Sequence, residues 1–67
     1  MASPVKDKDF DLISTLYHAL QGAELSEQYA SDAQIESDQE NHEFFTKVAK
    51  DYANIAQEAK RLVKDRL

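Results

Sequence analysis

An all-α fold follows from three features of this 67-residue chain. It holds one Gly and one Pro, too few for the tight turns that a β-sheet protein of this length needs. It is rich in Ala, Glu, Gln, Lys and Leu, which are strong helix formers. Its apolar residues recur at three- and four-residue steps along two long stretches, the period of an amphipathic helix. The expected architecture is a two-helix antiparallel hairpin that pairs with a second copy into a four-helix bundle.

Residues 1–8 read as a flexible lead-in. Pro4 and the mixed charges of Lys6, Asp7 and Lys8 show no period. Asp7 or Asp9 suits the N-cap of the first helix, where a short carboxylate can accept from free backbone N–H groups.

The first helix is expected over about 9–35. Phe10, Ile13, Tyr17, Leu20 and Glu24 form one row, and Leu12, Leu16, Ala19, Ala23 and Ala30 form the next. Gly22 falls mid-helix, at a cost of about 1 kcal/mol against Ala. A Gly there admits a close neighbour or removes a side chain that would clash.

The turn is expected at about 36–38. Ser37-Asp38-Gln39-Glu40 matches a capping box, with Ser37 as N-cap and Glu40 reaching back to it. A second helix then runs over about 38–66. Phe45, Val48, Tyr52, Ile55, Ala59 and Leu62 alternate three and four along it, like a coiled-coil seam. Each helix would be about 40 Å long at 1.5 Å per residue. A linker this short makes the helices antiparallel.

Self-association follows from the width of the apolar stripe. One partner helix cannot cover Phe10, Tyr17, Phe44, Phe45 and Tyr52 together with the aliphatics beside them. Soluble monomers avoid large exposed apolar patches. A two-fold homodimer is the commonest closed solution, and a heterologous helical partner is the other. Chains of this size lean on disulfides, metals or partners, and the absence of Cys removes the first.

Composition argues against several function classes. The net charge is −5, opposite to what a phosphate backbone attracts. The late cations Lys60, Arg61, Lys64 and Arg66 fall near a helix C-terminus, where the backbone dipole favours them. No 18-residue apolar run offers a membrane span, and no basic amphipathic face suits a membrane surface. Residues 1–9 lack the apolar region of a secretory signal. The lack of Cys fits a reducing, cytoplasmic setting. One Gly leaves no phosphate loop, and no serine has a Gly-rich elbow beside it.

The remaining chemistry is acidic. Glu24 continues the row through Phe10 and Leu20, and carboxylates are seldom buried unless paired or bound to metal. With Glu27 one turn on, and Asp51 and Glu58 on the second helix, it would make an inward acidic belt. Glu24, Glu27 and Asp51 are the candidate metal ligands, for iron or manganese. The competing reading makes Glu24 a hydrogen-bonded residue that fixes the register of the bundle. His18 and His42 read as edge or solvated residues. Tyr17, Tyr29 and Tyr52 read as core or edge residues with a wet hydroxyl.

The stretch from Leu16 to Glu24, with Glu27-Gln28-Tyr29 after it, resembles the first helix of short ferritin-like (rubrerythrin-like) proteins. Asp38 to Phe45 and the Ala-rich tail resemble the second. The resemblance spans about residues 10–67. It implies half of a helical bundle, with Glu24 matching the first-helix Glu of a di-iron site. Asp51 and Asn54 stand where that family has a Glu-x-x-His pair, and Asn is a poor iron ligand. The expected function is therefore a structural or interaction role without an intact di-iron site and without catalysis. The alternative is an iron- or manganese-binding carboxylate protein with its site in the bundle core or at the dimer interface.

Overall fold

The computed structural model describes residues 7–66. Two α-helices account for nearly all of them: α1 spans Asp7–Ile35 and α2 spans Gln39–Arg66. They pack side by side as a helical hairpin. Most of the lead-in expected over 1–8 lies outside the described residues. Asp7 and Lys8 belong to α1.

Asp7 and Asp9 both fall inside the first turn of α1 rather than ahead of it. There they set negative charge at the positive end of the helix dipole. At the same open end of the hairpin, Lys64 and Arg66 occupy the last turn of α2. Arg61 pairs with Asp65 across one turn at 3.6 Å, an exposed contact of small energetic weight.

The turn differs from the expected capping box by one residue. Ser37 takes a positive φ of 60°. Its N–H donates to the Gln34 carbonyl at 3.0 Å, and the Asp38 N–H donates to the Ala33 carbonyl at 2.8 Å. This pair of bonds is a Schellman motif, which satisfies the free carbonyls at the end of α1. Ser37 is thus used to finish α1 and cannot cap α2.

Asp38 caps α2 instead. Its Oδ1 accepts from the Asn41 N–H at 3.2 Å and its Oδ2 from the Asn41 side-chain amide at 2.9 Å. Its carbonyl takes the first intrahelical bond, from the His42 N–H at 3.0 Å. One aspartate therefore closes the first helix through its N–H and opens the second through its oxygens. The chain reverses in three residues, with the N–H groups of Glu36, Ser37 and Asp38 all bonded back to α1.

The seam between the helices is built of small residues. The buried positions are Ala19, Ser26 and Ala30 on α1 and Ala49, Ala56 and Ala59 on α2. On α1 they belong to the row Leu12, Leu16, Ala19, Ala23, Ser26, Ala30, Ala33, which steps four and three throughout. On α2 the matching row is His42, Phe45, Ala49, Tyr52, Ala56, Ala59, Val63. Small side chains let two helices approach at the short end of the usual 8–10 Å separation.

Within one hairpin the bulky rows are not the seam. Phe10, Ile13, Tyr17, Leu20 and Glu24 lie on the outside of the hairpin, with Tyr17 60 % and Leu20 57 % exposed. On α2 the seam runs through Ala49 and Ala56 rather than Val48 and Ile55. The cause is steric: two long helices in contact along their length choose their narrowest faces, and the larger side chains turn outward.

Two outcomes follow. Ala56→Leu adds bulk where the helices touch and should lower stability by about 1–3 kcal/mol, although it adds apolar surface. Ser37→Gly should raise stability by about 0.5–1 kcal/mol, since an L-residue in the left-handed region is strained. Denaturant unfolding followed by circular dichroism measures both.

Candidate functional site

The hairpin is a single layer of helices, so it has two broad faces, and they differ. One carries large apolar groups from both helices. The Tyr52 and Ile55 side chains from α2 meet Gly22 and Leu25 from α1 along one groove. Nearer the turn, Tyr29 and Ala33 meet Phe45. The Tyr29 and Phe45 rings stand edge to face, with centroids 5.4 Å apart at 67°. Phe44 and Phe45 do the same at 5.1 Å and 69°. Such T-shaped pairs set a negative ring face against a positive ring edge. Val48 and Asp51 flank Tyr52 and Ile55 on the α2 side.

Gly22 is explained by this face. A Cβ built on it would stand 2.9 Å from Cε1 and Cζ of Tyr52. The missing side chain makes a recess into which the tyrosine ring settles. Of the two uses of a mid-helix Gly given above, the structure has the second: it removes a side chain that would clash.

The opposite face is mixed. Leu16, Leu20 and Ala23 from α1 face Ala53, Ala56, Gln57 and Lys60 from α2. Toward the turn it is lined by Glu27, Ser31 and Gln34 against His42, Thr46 and Lys50. Large apolar groups come from α1 alone, and α2 supplies small, polar or cationic ones.

The candidate metal ligands do not gather within one chain. Glu24 and Glu27 are exposed on α1, and Asp51 is exposed on α2. Glu27 lines the mixed face, and Glu24, one turn before it, follows Leu20 by four residues on the same side. Asp51 borders the aromatic face, where its Oδ2 accepts from Lys47 Nζ at 2.9 Å. Among the described residues no three His, Cys, Asp or Glu side chains form a group able to hold a metal ion. The residues of a single hairpin do not fit a di-iron centre.

His42, read from the sequence as solvated, has a defined partner. Its Nδ1 lies 2.8 Å from the Ala30 carbonyl oxygen, across the hairpin. A carbonyl only accepts, so the ring nitrogen donates and must carry a proton. This contact ties the first turn of α2 to α1 twelve residues earlier in the chain. The i to i+12 spacing could have been found once the turn was fixed at Ser37 and Asp38.

Comparison of the chain with protein-family models, with curated proteins and with solved structures finds no match. No helix among the described residues is long and apolar enough to cross a membrane.

A double-mutant cycle tests the Gly22 recess. Gly22→Ala should gain about 1 kcal/mol of helix propensity in a Tyr52→Ala background. In the wild type the gain should be smaller, because the tyrosine ring must move. The difference is the coupling between the two positions, and equal gains in both backgrounds would show that the ring does not occupy the recess.

Proposed function

We propose that this chain is a small ferritin-like helical protein that self-associates into a four-helix bundle. Its role is structural or interactive, in the cytoplasm, with no intact di-iron site and no catalysis. The observation that carries the reading is an inversion of the usual burial pattern. Among the described residues the core is five alanines and a serine, and no large side chain is fully buried. Ten large apolar residues among those described, including Phe10, Tyr17, Leu25, Tyr29, Phe44 and Ile55, are 38 % or more exposed.

A hairpin of this kind lacks the second layer of structure that a domain needs around one core. Alanine methyl groups alone return little free energy against the cost of ordering the backbone. A second copy supplies the missing layer and covers apolar side chains that soluble monomers keep out of water. The ferritin-like part of the proposal rests on the sequence resemblance around Leu16 to Tyr29 and on the two-helix half-bundle.

The iron- or manganese-binding alternative draws on Glu24. It requires carboxylates from two chains, because Glu27 and Asp51 stand on opposite faces of one hairpin. Nothing in the single chain favours it over the structural role.

Sedimentation equilibrium at micromolar concentration should give twice the chain mass. The particle should keep its helicity in chelator. Each copy carries a charge of −5, so raising salt from about 0.05 to 0.5 M should tighten self-association a few-fold by screening that repulsion. A compact, fully helical particle of single-chain mass would overturn the proposal. Helix formation only on addition of another helical protein would replace it with a heterologous assembly. Stoichiometric iron or manganese retained by the wild type and lost in Glu24→Ala would establish the alternative.

A further inference from the structure

We infer that the two copies meet through the face bearing Leu25, Tyr29, Phe45, Val48, Tyr52 and Ile55, and that Glu24 and Glu27 stay outside the bundle. This rests on the self-association proposed above and adds which surface is used.

Three observations select that face. Both helices contribute large apolar groups to it, whereas on the opposite face α2 offers Ala53, Thr46, Lys50 and Lys60. Burying those lysines against a second copy would cost their hydration without an apolar return. The aromatic groups are already arranged: Tyr29, Phe45 and Phe44 form an edge-to-face chain, and Tyr52 rests over Gly22. Preset aromatic side chains lose little freedom on binding, and such residues dominate interface energetics. Of the charges bordering the face, Asp51 is paired with Lys47 at 2.9 Å within its own chain, while Asp32, Glu36 and Asp38 line only the end of the face beside the turn.

The area suits a second copy. Tyr29 is 45 %, Phe44 56 % and Tyr52 38 % exposed. At roughly 200 Å² per aromatic side chain, their open parts come to about 300 Å². Leu25, Val48 and Ile55 bring the patch to about 500 Å² per partner, at the small end of protein interfaces, about 1,000 Å² in total. A two-fold contact buries the same patch on both chains and closes, turning one helix layer into two.

The consequence for the acidic residues is geometric. Glu27 lines the other face, and Glu24 lies one turn from it, so neither enters a core built on the aromatic side. Asp51 alone of the three borders the interface.

Ile55→Ala and Leu20→Ala separate the faces, since both residues are exposed and alanine keeps helix propensity. Sedimentation equilibrium should show Ile55→Ala weakening self-association about tenfold or more, a loss of about 1.4 kcal/mol or greater. Leu20→Ala should leave it unchanged within about twofold, well under the ~1 kcal/mol that marks an interface hot spot. If Ile55→Ala is unfolded at micromolar concentration, helicity regained at higher concentration supports the same face, and none regained overturns it. The reverse ranking, or equal effects, overturns the choice of face and leaves self-association standing. A wild-type chain of single-chain mass overturns both.

Discussion

The constraint on which the rest of this structure depends is the narrowness of its seam. Two helices nearly 30 residues long touch through alanine and serine. Close approach brings many weak dispersion contacts along the whole length. Where Ala19, Ser26 and Ala30 meet Ala49, Ala56 and Ala59 it leaves little room for a larger side chain, and none of the larger groups in the same rows, such as Leu16, Phe45 and Tyr52, is fully buried. Those side chains are displaced onto the faces and the outer edges, and this displacement produces the uncovered apolar surface. The exposed aromatics and the alanine core are therefore one fact seen from two sides.

The turn serves the same constraint. A close pair of long helices needs a reversal that does not splay them. The left-handed Ser37 and the double role of Asp38 achieve this in three residues. The His42 to Ala30 bond then holds the first turn of α2 against α1. Without such a closure, the register of an alanine seam would be weakly set. Alanines are interchangeable, and a slip of seven residues would place methyl against methyl again. The larger groups break that degeneracy, because the Tyr52 ring occupies the space that a side chain at Gly22 would fill.

The sequence made the helices and the position of the reversal legible, because Gly and Pro are nearly absent and the polar cluster at Glu36 to Glu40 interrupts two periodic stretches. It did not show which row faces which. On α1 apolar residues occur on almost every side, with Ile13 and Leu20 on one flank, Leu25 and Tyr29 on the other, and Ala19 and Ala30 between. Ranking rows by hydrophobicity then favours the bulky row, whereas packing of two long helices favours the narrow one. The shift of the cap from Ser37 to Asp38 was hidden for a related reason. Either residue can cap a helix, and only the left-handed backbone at Ser37 decides between them. The acidic residues Glu24, Glu27 and Asp51 lie outside the seam of the single hairpin, as the bulky row does.

The uneven distribution of apolar residues on α1 also bears on assembly. Helix α2 keeps its large groups on one side: Phe44, Phe45, Val48, Tyr52 and Ile55 all lie on or beside the aromatic face. Helix α1 changes side near Gly22. Its second half turns Leu25 and Tyr29 toward the aromatic face, and its first half turns Ile13, Tyr17 and Leu20 away. A two-fold contact on the aromatic face therefore covers α2 well and only half of α1. In the proposed bundle the Ile13, Tyr17 and Leu20 patch would remain uncovered, with Leu20 on the face that holds Lys60. If the copies pair through the aromatic face as proposed, anything binding to this patch would meet an assembled bundle rather than compete with its formation. The small-residue seam thus sets two surfaces apart: one suited to a copy of the same chain, the other left facing outward.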